Sequence, residues 1–425
     1  MAAHLITIAT FLLFILLTAS MFNFNQTLAK ERNHNSMVLG MAQYSKNSLP
    51  PIPRASRIRN SSKKPSEILD MMEPLREITN GYLIPLNLGS PPQVIQVYMD
   101  TGSDLTWVPC GNVSFDCIEC DEYRNNKLTT AAFSPSFSSS SSRDLCGSSF
   151  CNDIHSSDSD YDTCTMAGCS LATLVKSTCP RPCPLFAYTM GLRTHWDCRF
   201  GRGTLSLPSQ LGFLKIGFSY CFLSFKFANN PNIFQPLVVG DVAISSKDNL
   251  QFTPMLRSPI YPNLYYIGLE AITIGNVVSA IKVPLNLREF DSRGNGAMMI
   301  DSGTTYTHLP EPLYSQILSF LQSAITYPRA KDVEMRSGFD LVINLALPSR
   351  ESFLCHGAPS ESTVVKCLLF QSMDNEDDNI YGPAGVFGSF QQQNVEVVYD
   401  LEQERVGFQP RDCAVAAAAQ GLHKM

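Results

Sequence analysis

The chain has 425 residues, 44% of them hydrophobic and 16% charged, with 14 Cys and a formal net charge of −6. That length provides ample core for two domains or one large two-lobed body, and low charge with 10% aromatics excludes a mostly disordered protein. The acidic balance argues against nucleic acid as the main partner, and so many Cys exclude an ordinary cytosolic enzyme unless they bind metal or carry redox chemistry.

Residues Leu5 to Leu17 are almost continuously apolar and are followed by Thr18, Ala19 and Ser20. This reads as a secretory signal peptide over residues 1–22, with a signal anchor as the alternative. Sequons at Asn25, Asn60 and Asn112 become usable on export. The next region, residues 23–75, is basic and rich in Pro and Ser. Its first part, residues 23–68, holds eight Lys/Arg and only two acids. A basic segment ahead of an acidic body is read as a removable prosegment held by charge, or as a basic leader with no regulatory role.

From Gly81 the texture is that of strands. Tyr82 to Leu88 alternates loosely, Gly89-Ser-Pro-Pro92 makes a turn, and Val94 to Met99 is again strand-like. Nine Cys fall within residues 110–183, together with the Ser-rich run Ser134 to Ser142. Cys117-Ile-Glu-Cys120 could form half a zinc site, but no second Cys or His pair completes it, so disulfides are the reading in an exported chain. Further strands are expected at Leu237–Val239, Tyr265–Ile274, Ala297–Ile300 and Val395–Tyr399. One helix is expected over Pro312–Ile325, where Leu313, Ile317, Leu318, Leu321 and Ile325 fall on one face. The acidic run Asp374 to Asp378 is most simply a solvated turn. The fold class is therefore mainly β with a few short helices.

One short pattern occurs twice. Met99-Asp100-Thr101-Gly102-Ser103 and Ile300-Asp301-Ser302-Gly303-Thr304 each follow an apolar strand. Two Asp brought together cannot both ionise, because like charges at short range repel. Such a pair shares a proton, so that one member acts as base and the other as acid. Gly102 and Gly303 permit tight turns and close backbone approach, and the hydroxyls of Ser103 and Thr304 can orient the carboxylates. The competing reading is two ordinary β-turns. No His-Glu-x-x-His, Gly-x-Ser-x-Gly, phosphate-binding loop or dinucleotide-binding loop is present. No metal and no cofactor are expected.

Asp100-Thr-Gly-Ser-Asp-Leu-Thr-Trp107-Val-Pro-Cys110 and Asp301-Ser-Gly-Thr-Thr-Tyr-Thr-His-Leu-Pro310 resemble the pepsin-like (A1) aspartic proteases. The Cys-rich stretch, Gly388-Ser-Phe-Gln-Gln-Gln-Asn394, Val398-Tyr-Asp-Leu-Glu402 and Arg405-Val-Gly-Phe408 are similar to the plant nepenthesin/nucellin-type subgroup. The resemblance implies a bilobal β fold with a cleft between the lobes. It places the N-terminal lobe at residues 81–225, the C-terminal lobe at 237–413 and an Ala-rich tail at 414–425. It also implies that Asp100 and Asp301 activate a water for attack on a peptide carbonyl, with Gly385-Val-Phe-Gly388 supporting the second Asp loop and Trp107 packing near a flap. A secreted or vacuolar, glycosylated, monomeric zymogen acting on proteins or peptides follows. A catalytically impaired isoform, or a non-catalytic pepsin-fold binding or inhibitor protein with a glycosidase partner, is the alternative.

The chain departs from that pattern in two places. Met190 stands where the family has a flap Tyr, and Leu192 to Arg199 jumps directly to Phe200-Gly-Arg-Gly203. Flap return strand and supporting strand for Asp100 are expected to be missing, leaving the N-terminal lobe incomplete. After Gly338-Phe-Asp-Leu341 a second segment is shortened, which leaves Cys367 without its partner. Thr194 to Arg199 and Ser349 to Gly357 read like neighbouring codon frames of the family's runs, so Cys198 and Cys355 are not expected to be native disulfide partners.

Overall fold

The computed structural model describes residues 36–44, 81–106, 108, 133–142, 144–145, 148–149, 151, 197–212, 215–224, 235–244, 250–274, 281–345, 364–373 and 382–419. The strands in chain order are β1 (Ser36–Tyr44), β2 (Gly81–Leu88), β3 (Gln93–Asp100), β4 (Asp197–Arg199), β5 (Gly217–Cys221), β6 (Gln235–Gly240), β7 (Gln251–Pro254) and β8 (Tyr266–Ile267). They continue with β9 (Met298–Asp301), β10 (Thr307–Pro310), β11 (Val342–Leu345), β12 (Val364–Cys367), β13 (Phe370–Met373), β14 (Gly385–Gly388), β15 (Val395–Asp400) and β16 (Arg405–Pro410). A nine-stranded sheet runs β4-β3-β2-β1-β6-β5-β15-β16-β7, a five-stranded sheet runs β13-β10-β14-β9-β8, and β11 pairs with β12. The protein is mainly β and bilobal, as its sequence implies.

Local sequence explains the first hairpin. On β2, Tyr82, Ile84 and Leu86 are buried; on β3, Ile95, Val97 and Met99 are buried while Val94 is exposed. This two-residue period is what a sheet with one face on the core requires. Gly89, with φ of 85°, supplies the left-handed turn residue that most side chains disfavour. β15 lies between β5 and β16, and its successive residues Val397, Val398 and Tyr399, which point to alternate faces, are all buried.

The expected helix is observed at Leu313–Ala324. Leu313, Ile317 and Leu321 are buried, and Leu318 and Ile325 pack against the same core. Each side chain of this kind contributes about 1.5–3 kcal/mol when fully removed from water. Among the described residues the expected strand over Tyr265–Ile274 is a two-residue strand at Tyr266–Ile267, with bridge pairing resuming at Thr273 and Ile274. At Gly268 an added β-carbon would lie 2.6 Å from the Arg288 carbonyl oxygen, and Leu269 donates its amide to Leu287 at 2.9 Å. The chain leaves the sheet there to meet the turn of 3-10 helix at Leu285–Leu287.

β1 comes from the basic leader. It pairs antiparallel with β2 through residues 42–44 and with β6 through residues 36–41. Cys221 and Cys413 form a disulfide across 192 residues. Cys151 and Cys367 each take part in a disulfide of their own, so the expectation that Cys367 lacks a partner is corrected. The signal segment, most of the Cys-rich stretch, Trp107, the flap sequence with Met190, Cys355 and the acidic run lie outside the described residues.

Candidate active site

Each Asp motif begins at the end of a buried strand, β3 for Asp100 and β9 for Asp301. The two loops then meet. The amide of Thr101 donates to Ser302 Oγ at 3.0 Å, and the amide of Ser302 donates to Thr101 Oγ1 at 2.9 Å. Each hydroxyl passes its own proton onward to the main chain of the opposite strand: Thr101 to Ile300 O at 3.1 Å, and Ser302 to Met99 O at 3.0 Å. These four bonds are buried and related by an approximate twofold. Two isolated turns would have no reason to make them.

The carboxylates are held in matching ways. Asp100 Oδ1 accepts from Gly102 N at 2.8 Å, and Asp301 Oδ1 accepts from Gly303 N at 2.7 Å. Thr304 Oγ1 donates to Asp301 Oδ2 at 2.6 Å, and Ser103 Oγ donates to Asp100 Oδ2. Both aspartates are buried, at 0% and 1% exposure. Each glycine faces the opposite carboxylate. A β-carbon on Gly102 would lie 2.3 Å from Asp301 Cγ, and one on Gly303 would lie 2.4 Å from Asp100 Oδ1. All eight residues singled out in the sequence (Asp100, Thr101, Gly102, Ser103, Asp301, Ser302, Gly303 and Thr304) are therefore brought into one constellation.

Each loop also has a parallel companion strand. β14 runs beside β9, pairing Gly388 with Asp301. β4 runs beside β3, pairing Arg199 with Asp100. The expectation that Asp100 lacks a supporting strand is thus corrected for the main chain. The residues after β3 are chelated by the loop that follows β4. Gly203 N donates to Asp104 Oδ1 at 2.5 Å and Asn263 Nδ2 to Asp104 Oδ2 at 3.0 Å, while Arg202 N donates to Asn263 O at 2.7 Å. Asp104 thus ties the N-terminal motif to a C-terminal segment.

Sequence reasoning missed the aromatic layer beside the two motifs. Phe218 stacks on Tyr399 with ring centroids 4.3 Å apart, Tyr220 stacks on Phe222 at 4.2 Å, and Phe222 on Tyr82 at 3.9 Å. The Tyr220 and Tyr399 hydroxyls lie 3.1 Å apart. Tyr220 donates to Gln392 Oε1, whose Nε2 donates to Phe387 O on β14 at 2.8 Å. Burial, reinforced by Tyr399, pushes the Tyr220 phenol well above its ordinary value. Burial does the same at Tyr399, where hydrogen bonds to Tyr220 and Thr101 act in the opposite direction and Asp301 adds to the rise. These phenols stay neutral and act as hydrogen-bonding struts under the motif loops. Gln392 lies in the Gly388–Asn394 run, which was the one available signal for this layer.

No group of three or more His, Cys, Asp or Glu side chains among the described residues could hold a metal ion. The chemistry available at the site is that of two facing, fully hydrogen-bonded carboxylates.

A mainly β, two-lobed protein with one Asp-Thr/Ser-Gly loop from each half defines the class of the pepsin-like aspartic proteases. Residues 82–178 match the family model described as xylanase inhibitor N-terminal, and residues 264–352 and 357–410 match that described as xylanase inhibitor C-terminal. A probable aspartyl protease of Arabidopsis thaliana is 31% identical over 79% of this chain and 83% of its own length. The aspartic proteinase nepenthesin-2 of Nepenthes gracilis is 28% identical over 79% of this chain and 78% of its own. The crystal structure of edgp superposes with a TM-score of 0.55 at 15% identity, covering 90% of this chain and 96% of that one. The chain belongs to the pepsin-like aspartic protease family, and the relatives named here come from plants.

Proposed function

We propose that this protein is an aspartic-type endopeptidase that hydrolyses peptide bonds at acidic pH, with Asp100 and Asp301 as its catalytic pair. The observation that carries the reading is the mutual packing of each motif glycine on the opposite carboxylate, fixed by the Thr101–Ser302 exchange. Close carboxylates oppose double ionisation and hold one proton between them. The ionised member takes a proton from a water between them as that water attacks the scissile carbonyl. The protonated member stabilises the developing oxyanion and then supplies a proton to the leaving amine. Gly102 N, Gly303 N, Ser103 and Thr304 keep the carboxylates in place during that exchange. Substrates are proteins or peptides. Entry into the secretory pathway with Asn glycosylation, removal of the basic leader and a monomeric state complete the reading.

The test is proteolysis by secreted, processed protein. Cleavage at acid pH, blocked by pepstatin and lost in Asp301→Asn, supports the assignment; undiminished cleavage by Asp301→Asn refutes it. A second reading is a catalytically impaired or non-catalytic binding protein with a glycosidase partner. It is favoured by the match to models described as xylanase inhibitor. Capture of a purified glycosidase with no proteolysis would select it.

A further inference from the structure

The Thr101–Ser302 exchange is symmetric in its own bonds but not in what lies beneath it. Ser302 Oγ accepts from Thr101 N and donates to Met99 O. Thr101 Oγ1 accepts from Ser302 N and donates to Ile300 O. The Thr101 side chain is also hydrogen-bonded to Tyr399, and among the described residues Ser302 has no such third bond. The extra partner comes from the other half of the chain. Tyr399 lies on β15, fully buried, with its ring stacked on Phe218 at 4.3 Å and edge-on to Tyr265 at 4.7 Å.

The proton count of the hydroxyls fixes the direction of these bonds. A phenol carries one proton. Tyr220 gives its proton to Gln392 Oε1, a carbonyl oxygen that can only accept. Towards the Tyr399 hydroxyl, 3.1 Å away, the Tyr220 oxygen is therefore an acceptor. Thr101 Oγ1 has given its own proton to Ile300 O, so towards Tyr399 it is an acceptor as well. The single proton of Tyr399 stands between two acceptors, one on the motif loop and one on the scaffold. Tyr220 continues into that scaffold, because Gln392 Nε2 donates to Phe387 O on β14 at 2.8 Å.

We infer that Tyr399 is a positioning residue for the loop that carries Asp100, with its hydroxyl proton serving Thr101, and that Tyr220 is the anchor tying the hydroxyl pair to β14. The two phenols then fail in different ways. Without the Tyr399 hydroxyl, Thr101 Oγ1 keeps its other two bonds, so no buried group is stranded; what goes is a restraint one residue from Asp100. Without the Tyr220 hydroxyl, Gln392 Oε1 loses its donor at 0% exposure, and a buried polar atom left unpaired is destabilising. One hydroxyl governs geometry at the site and the other the stability of its floor. This rests on the reading of Asp100 and Asp301 as a catalytic pair, and the stability measurement below separates the two claims.

The experiment uses secreted, processed protein carrying Tyr399→Phe, Tyr220→Phe, Thr101→Val or the Tyr399→Phe/Thr101→Val pair, followed by thermal unfolding and by kinetics on a reporter peptide at acid pH. Tyr399→Phe, which keeps the stacked ring, is expected to lower kcat about tenfold with KM little changed, because loop geometry acts on the chemical step. Its Tm should fall by less than about 2 °C, whereas Tyr220→Phe should lower Tm by about 2–4 °C. Tyr220→Phe should lower kcat by no more than about threefold, since the Tyr399 proton then goes wholly to Thr101. A kcat in Tyr399→Phe within about twofold of wild type overturns the inference, as does a raised KM with kcat unchanged. A loss of turnover in Tyr220→Phe as large as that in Tyr399→Phe, or a larger fall of Tm in Tyr399→Phe, overturns the division between the two phenols. Cleavage by none of the proteins, wild type included, refutes the catalytic pair. The inference then stands on Tm alone: non-additive shifts from Tyr399→Phe and Thr101→Val uphold it, and additive shifts overturn it.

Discussion

Thr101 and Ser302, 201 residues apart in the chain, each give a backbone amide to the other's hydroxyl, at 3.0 and 2.9 Å. The exchange couples the two halves of the molecule at the point where their carboxylates meet. It also makes each hydroxyl answerable for a buried amide that has no route to water.

Ser302→Ala is the direct probe of that exchange. It strands the Thr101 amide and removes the donor to Met99 O, and an unsatisfied buried group costs about 1–3 kcal/mol. Thermal unfolding should shift down accordingly, and peptide hydrolysis should fall by roughly one to two orders of magnitude through misplacement of Asp301. Ser302→Thr, which keeps the hydroxyl, should recover most of both.

Gly303→Ala should act through Asp100 rather than through its own loop. The new methyl would lie 2.4 Å from Asp100 Oδ1, displacing a carboxylate that is fully buried. Hydrolysis should be lost while secretion and the far-ultraviolet spectrum stay close to wild type. Wild-type kcat in this variant would contradict the packing described.

The Cys221–Cys413 disulfide anchors the start of the terminal helix Cys413–Ala419 against β5. Replacing both with Ala should cost about 2–5 kcal/mol, read as a lower urea midpoint with little change in kcat, since neither sulfur reaches the carboxylates.

Glu404 predicts part of the acid limit. The hydrogen bond from Arg257, and then that from Arg202, hold its carboxyl below the usual 4.5. Its folded value is depressed, so its contribution is present above pH 4.5 and is lost as pH falls through the lower folded value. The side chain is 43% exposed, so the effect is small and screened by salt. Glu404→Gln should flatten the stability profile below that pH, and added salt should shrink the difference between the two proteins.

The carboxylate loops were legible because their chemistry is local. Asp-Thr-Gly-Ser and Asp-Ser-Gly-Thr announce themselves in four residues, and the β2–β3 hairpin and the helix at Leu313–Ala324 follow from periodicities of two and 3.6 residues. What surrounds the loops is non-local. Nothing within Gly217–Cys221 says that Tyr220 will reach Gln392, and nothing in Asp197–Arg199 says that it will lie beside Asp100. The expected strand over Tyr265–Ile274 is interrupted after Ile267 for the same reason, since the Arg288 carbonyl that leaves no room at Gly268 belongs to a distant turn.

β1 bears on the proposed removal of the leader. Among the described residues, β2 and β6 have no direct pairing, and each is bonded instead to this strand from the leader. Its ladders hold it on both sides, independently of the peptide bonds that join it to Gly81. A protease cutting anywhere in residues 45–80 would therefore nick the chain without ejecting the strand. Processing would be two events, a covalent cut and a later departure. The second would open two raw sheet edges, one on β2 and one on β6, a state that must be refilled or lost to aggregation.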